Sequence, residues 1–202
     1  EIRRFLERVG SSRMSKVFVQ PPEAAHDIDS AISQTVEAYT SLSKDKVGAL
    51  MVFERANLLD EVIKTGTALD CAVSSELLKN LFWNKAPLHD GAVIVRNGRI
   101  VGAGCMLPLS GNTNLSRDLG MRHRAGIGMS EHSDAVVAIV SEETGSISVA
   151  VGGMLKRHLA PETLDRLLRN ELKTDEDDGE KKSDLFPLVA ALFNRGKKEG
   201  TE

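Results

Sequence analysis

No apolar run in this 202-residue chain reaches the roughly 18 residues that a bilayer-spanning helix needs, and no signal-like leader opens it. A soluble chain is expected. Basic charge is not in surplus either, since 26 Lys and Arg stand against 29 Asp and Glu for a net charge of −3. A protein that wraps nucleic acid needs a broad basic face, so that class is excluded and any basic site must be local. Aromatic residues make up 4% and hydrophobic residues 41%, enough for one sizeable core but hardly for two. The two cysteines, Cys71 and Cys105, lie in apolar, strand-like surroundings without C-x-x-C spacing. They read as buried free thiols in a reducing compartment. The phosphate signature G-x-x-x-x-G-K-[ST] is missing. The nearest approach to a dinucleotide fingerprint, Gly102-Ala103-Gly104, runs into Cys105-Met106-Leu107 where a third glycine or alanine should stand.

Two short segments carry the chemistry. Pro87-Leu88-His89-Asp90-Gly91-Ala92 sets a carboxylate beside an imidazole, and Gly120-Met121-Arg122-His123-Arg124-Ala125 sets two guanidiniums around a second imidazole. Glycine in each lets backbone approach a ligand closely. Magnesium or manganese takes oxygen or imidazole ligands, and arginine forks match phosphate oxygens in pairs, so together the segments suit a metal-bound polyphosphate. Each also has a plainer reading. An aspartate at the start of a strand can cap its own turn, a histidine there can be a hydrogen-bonded structural residue, and Arg122-His123-Arg124 can be a solvated basic turn.

In chain order, residues 1 to 26 read as a basic amphipathic helix and a connector. Ile2, Phe5, Leu6 and Val9 alternate with Arg3, Arg4, Glu7 and Arg8 up to Gly10, and Pro21-Pro22 closes the connector. A long helix is expected from about Asp27, because Ile28, Ala31, Ile32, Thr35, Val36, Tyr39 and Leu42 recur at three- and four-residue steps. Val47 to Phe53 and Ala68 to Val73 read as buried strands, with a helix ended by Gly66 between them, and Ser74 caps a helix over Glu76 to Trp83. Gly91 to Val95 and Arg99 to Met106 flank Asn97-Gly98, a tight-hairpin dipeptide, which sets Asp90 where the chain enters a core strand.

Residues 107 to 119 form a long polar loop, and a short helix over Arg122 to Met129 holds the arginines in its first turn, where free amides favour anions. Ala135 to Val140 and Ser146 to Val151 are strands joined by Ser141-Glu142-Glu143-Thr144-Gly145. Gly152-Gly153 turns the chain again, and Pro161 opens a helix carrying Leu164, Leu167, Leu168 and Leu172. Lys173 to Ser183 contains no hydrophobic residue and reads as a disordered acidic linker before residues 184 to 202, a short amphipathic segment with a lysine-rich tail.

Four of these stretches, Pro87 to Ala92, Cys105 to Ser110, Arg122-His123-Arg124 and Ser141 to Gly145, fall in an order that closely resembles the bacterial diadenylate cyclases, which make cyclic di-AMP from two ATP. The resemblance covers roughly residues 27 to 172, the expected catalytic domain. It implies a single α/β domain with a mixed central sheet of about seven strands and helices on both faces. It further implies that Asp90 binds a divalent metal (magnesium, manganese or cobalt) and helps to activate the attacking hydroxyl, with His89 and Glu143 as further metal ligands. Gly91 and Ala92 would let ribose lie against backbone, and Met106 and Leu107 would bracket the adenine. Arg122 and Arg124 would neutralise the triphosphate, His123 would orient or contact phosphate, and Ser141, Glu143 and Met121 would line the mouth of the nucleotide pocket.

Each ATP must offer its 3′-hydroxyl to the α-phosphate of the other, so two sites must face one another across a head-to-head homodimer, which need only be transient. In the membrane-anchored branch of the family a segment like Glu1 to Gly10 follows transmembrane helices. The natural protein is therefore expected at the cytoplasmic face of the membrane, with a regulatory membrane protein and a phosphoglucosamine mutase as the partners the resemblance implies. Nothing after residue 172 is large enough for a DNA-binding module, and no nucleic-acid partner is expected.

Two departures from the family's pattern bear on activity. Threonine is frequent before Arg-His-Arg and this chain has Met121, which loses a hydroxyl donor; Met106 stands where an aromatic residue is frequent, which weakens adenine stacking. Altered rather than absent activity is expected. Two other classes share part of the pattern. A non-catalytic nucleotide sensor would need neither Asp90 nor Glu143, and a phosphohydrolase built on His89-Asp90 would need ligand motifs that His26, His132 and His158 do not supply.

Overall fold

The computed structural model describes residues 23–183 apart from Asn114 and Arg117. The basic amphipathic helix, most of the connector and the segment 184–202 lie outside the described residues. Seven strands are present among the described residues: β1 Ala49–Phe53, β2 Thr67–Ala72, β3 Ala92–Arg96, β4 Arg99–Cys105, β5 Val136–Val140, β6 Ile147–Val151 and β7 Met154–Lys156. Five helices accompany them: α1 Glu23–Lys44, α2 Asp60–Ile63, α3 Ser75–Phe82, α4 Met121–His132 and α5 Pro161–Ser183.

β1, β3 and β5 are apolar at almost every position, which is the pattern of strands buried on both faces. They lie side by side at the centre of one sheet of order β2-β4-β3-β1-β5-β6-β7. β1 and β3 are parallel and the other neighbouring pairs antiparallel, so the sheet is mixed, as expected. The pleat shares each central strand between two cores. Met51, Phe53, Val93, Val95 and Ala138 meet Ile32 and Tyr39 of α1, Leu78 and Phe82 of α3, and Leu164 and Leu168 of α5. Leu50, Val52, Ile94, Val137 and Ile139 meet Ala125, Ile127 and Met129 of α4 on the other face, where Val62 and Ile63 of α2 also pack.

The hairpin over Asn97-Gly98 has φ of 48° and 74° at those residues, the paired positive values of a type I′ turn. Ser74 caps α3, its hydroxyl accepting from the Leu77 amide at 3.3 Å. Other elements depart from expectation. The stretch Ala68 to Val73 was expected to be a buried strand, but β2 is an edge strand paired only with β4, and its residues are exposed or half-buried in alternation. Cys71, on that strand, is accordingly only half-buried, whereas Cys105 is buried; both are free thiols. β7 has no sequence counterpart: it is three residues long and pairs with β6 through the Gly152-Gly153 turn. The long first helix starts at Glu23 rather than near Asp27. α5 does not stop at Leu172 but continues to Ser183, through the stretch expected to be a disordered linker. A hydrophilic composition excludes burial, not helix, and 173–183 is free of proline.

Strand register positions the site. Ala49 of β1 faces Val140 of β5, Ala92 of β3 faces Cys105 of β4, and β1 runs with β3. The beginnings of β1 and β3 and the ends of β4 and β5 therefore share one end of the sheet.

The opposite end is closed by charge. Arg96 donates from Nε and Nη2 to the two oxygens of Glu54 at 2.5 and 2.8 Å and from Nη2 to Asp60 at 2.7 Å, while the Leu59 amide donates to Glu54 at 2.7 Å. The Glu54 side chain is 1% exposed. Removing the guanidinium leaves a buried carboxylate without its counter-charge, so Arg96→Met is expected to lower unfolding stability by about 3 kcal/mol. Urea unfolding reads this directly, and a midpoint equal to the parent's would show the pair to be dispensable.

Candidate active site

Asp90 sits in the turn that delivers the chain into β3. The turn is built by the amides of Ala86 and His89, which donate to the carbonyls of Trp83 and Ala86 at 2.9 and 3.1 Å. His89 Nδ1 also lies 2.6 Å from the Ala86 carbonyl, to which it donates. The next residue, Gly91, has φ of 106°, and a Cβ there would stand 2.6 Å from the carbonyl carbon of Gly104. No other residue fits. This close crossing of β3 and β4 leaves the Asp90 carboxylate exposed at the end of the sheet.

α4 brings the basic segment to the same end. Its N-cap is Gly120, which has no side chain to satisfy the first amides. Arg122 is mostly buried. Its guanidinium lies across Gly48, where a Cβ would come within 2.6 Å of Nη1, and it donates to Glu142 at 2.5 Å. Arg122 thus ties the first turn of α4 to the start of β1 and to the β5–β6 turn. Arg124 is half-buried, and its backbone links the helix to the loop: its amide donates to the Gly120 carbonyl at 3.2 Å and its carbonyl accepts from Ser110 at 3.0 Å.

His123 points the other way. It is buried against β6, with Nε2 3.5 Å from the Ser148 hydroxyl. Burial, aided by the charge of Arg157, holds its pKa below the ordinary value, so the ring is neutral at pH 7. The expectation that His123 orients or contacts phosphate finds no support in this buried position, where the ring meets β6 instead.

The β5–β6 turn supplies Ser141 and Glu143. The Ser141 hydroxyl accepts from the Thr144 amide at 3.3 Å, which leaves its proton free to donate. A Glu143 carboxylate oxygen stands 3.9 Å from where a Gly120 Cβ would be, beside the positive end of α4. At the end of β4, Met106 is 74% exposed while its amide donates to the Thr65 hydroxyl at 2.8 Å; Leu107 is half-buried against the second core. Met121, at the first position of α4, is 66% exposed. Met106 and Met121 are thus two exposed apolar side chains at this end of the sheet.

Among the described residues, no three His, Cys, Asp or Glu gather to hold a metal ion. The expected set of Asp90, His89 and Glu143 is therefore corrected: His89 and Asp90 stand together before β3, whereas Glu143 belongs to a turn two strands away, beside α4. The donors still suit a hard divalent cation, which binds through one or two carboxylates and completes its shell with water and phosphate oxygens.

Sequence reasoning missed three participants. Gly48 is needed as the floor under Arg122, and only its place just before a strand could have marked it. Asp118 and Arg157 pair across the site's margin, Arg157 Nη2 donating to Asp118 at 2.9 Å. The Ser116 hydroxyl, followed by Arg157, holds the Asp118 carboxyl down to about 2. Nothing in the sequence announces that pair, because Arg157 reaches the loop only by way of β7.

Residues 36–155 match the family described as DAC, DisA bacterial checkpoint controller nucleotide-binding. The chain is 43% identical over 182 residues to the cyclic di-AMP synthase CdaA of Bacillus subtilis, covering 88% of this chain and 64% of that protein. It is 39% identical over 175 residues to the diadenylate cyclase of Listeria monocytogenes, covering 86% and 63%. Its fold is similar to a crystal structure of a double mutant of DacA from Staphylococcus aureus, with TM-score 0.70 and 43% identity over 72% of this chain and 97% of that one. A hypothetical membrane spanning protein from Bacillus cereus is similar at TM-score 0.61 and 46% identity, over 63% of each chain. The chain spans a little under two thirds of the length of those two curated relatives.

Proposed function

Because this chain belongs to the DAC family of nucleotide-binding domains, we propose that it is the catalytic part of a diadenylate cyclase. It joins two ATP into cyclic di-AMP and releases two pyrophosphates. The observation that carries this reading is the register of β4, β3, β1 and β5, which brings Met106, Asp90, Arg122 and Ser141 to one end of the sheet. Three inter-strand steps of about 4.8 Å make that edge roughly 14 Å wide, room for one extended nucleotide.

Each 3′-oxygen attacks the α-phosphorus of the opposite ATP, the bond from that phosphorus to the pyrophosphate oxygen breaks, and the hydroxyl proton passes to base or water. Asp90, with His89 beside it, would hold the divalent cation, which supplies charge neutralisation and a more acidic attacking hydroxyl when bound. The arginines meet the triphosphate. Arg122 comes pre-oriented by Gly48 and Glu142, and the uncapped amides of α4 add their partial positive charge to the same place. The Ser141 hydroxyl donates to a phosphate oxygen, Gly91 and Ala92 let ribose approach backbone, and Met106 and Leu107 wall the adenine. One such edge holds one ATP, so the reaction runs between two protomers facing head to head.

Incubating the chain with ATP and magnesium, manganese or cobalt is expected to yield cyclic di-AMP and pyrophosphate, identified by mass. ADP and phosphate as the sole products would defeat the proposal. Calorimetric titration with ATP provides a second check. Arg122→Ala and Arg124→Ala should each weaken binding by about 1.5–3 kcal/mol, the size of a lost charge-assisted contact. Unchanged affinity in both variants would remove Arg122 and Arg124 from phosphate binding.

The relatives are longer than this chain, and one similar structure is described as a membrane spanning protein. The whole protein is accordingly proposed to work at the cytoplasmic face of a membrane. Among the described residues no helix is long and apolar enough to cross one.

A further inference from the structure

The body of α4 is fixed by packing, and its first turn is held through Arg122 and the buried His123, but the segment that leads into that turn has a tie of its own. Gly126 lies against Ile139, Gly128 lies against the backbone of Pro108 to Ser110, and the Ser130 hydroxyl accepts from the Gly153 amide at 3.1 Å. The first turn carries Arg122 and Arg124, yet its N-cap glycine offers no side-chain bond. What precedes it is the end of the loop over residues 107–119, and there Asp118 is gripped from one side by Ser116 and from the other by Arg157. Only Leu119, Gly120 and Met121 separate Asp118 from Arg122, and Leu119 is buried in the second core.

Resting on the cyclase reading, we propose that the Arg157–Asp118 ion pair is a latch that sets the first turn of α4 for the reaction, which makes both of them positioning residues. Arg157 follows directly on β7, so the latch ties the turn to the far edge of the sheet. The Nε of Arg157 is buried without a partner among the described residues, and the guanidinium makes its link to the loop through Nη2. Both side chains are partly exposed, and such pairs add little to global stability. Breaking this one should therefore misplace the turn without unfolding the domain.

Arg157→Gln and Asp118→Asn are expected to lower kcat for cyclic di-AMP formation about tenfold or more. KM for ATP should rise as well, because the displaced turn carries the two arginines that meet the triphosphate. Unfolding midpoints should match the parent. The double variant should be no slower than either single one, because each substitution opens the same latch. Amide exchange over residues 116–124, measured without nucleotide, should quicken in both variants. Parent-like kcat, effects that multiply in the double variant, or unchanged exchange would each overturn the latch. A parent protein that makes no cyclic di-AMP would instead defeat the cyclase reading, and the exchange measurement would still decide the latch.

Discussion

Asp90→Asn is expected to lower cyclic di-AMP formation by about a thousandfold or more, with no shift in the unfolding midpoint. The substitution keeps nearly the same shape and removes one charge. Asp90 is exposed at the tip of a turn whose geometry comes from other groups: the Ala86 and His89 amides, the His89 ring, and Gly91 pressed against Gly104. None of these depends on the carboxylate, so the fold should not register its loss. The chemistry should, because this carboxylate stands at the start of β3, in the middle of the edge where a metal-bound triphosphate would lie. Product analysis by mass and urea unfolding of the same preparation test both halves. A variant that cycles ATP at the parent rate removes Asp90 from the mechanism.

A second large effect concerns assembly. On the proposed reading one sheet end positions one ATP, and the product is built from two. Specific activity should therefore rise with protein concentration until the dimer saturates, a mass-action dependence that no single-site hydrolase shows. Mixing sharpens the test. With a tenfold excess of Asp90→Asn protein and free exchange, only about one parent protomer in eleven finds another parent, so parent activity should fall to roughly a tenth. Constant specific activity from nanomolar to high micromolar protein, with no inhibition by the variant even after joint refolding, would reject the face-to-face arrangement.

Much of this architecture was legible where local chemistry decides it. The continuous apolar runs of β1, β3 and β5 require burial on both faces, Asn97-Gly98 requires a hairpin, and Ser74 requires a helix to cap. Elements decided by neighbours were not legible. β2 has an apolar composition yet ends up at the sheet edge, and β7 is too short to carry a period and exists because Gly152-Gly153 folds it back on β6. The helix through 173–183 was mistaken for a linker because hydrophilicity was read as disorder.

The site divides in the same way. Asp90, Arg122 and Arg124 declare themselves by charge next to glycine, whereas the turn of His123 towards Ser148, the floor at Gly48 and the grip of Arg157 on Asp118 depend on pairings between distant parts of the chain. The parallel pairing of β1 with β3 is of that kind too, since no local pattern specifies it.

That central position of β1 also governs when the site's end of the sheet is completed during the protein's own synthesis. The β3–β4 and β5–β6 hairpins close over short turns, but Met51 must wait for Val93 on one side and for Ala138 on the other. Pairings between segments so far apart in the chain bear the largest loop-closure entropy and form late. Both seams of β1 end beside Gly48, under Arg122. A nascent chain halted before Val140 already contains Asp90 and both arginines, yet one side of β1 is still unpaired. The end of the sheet under Arg122 is thus completed only as β5 docks.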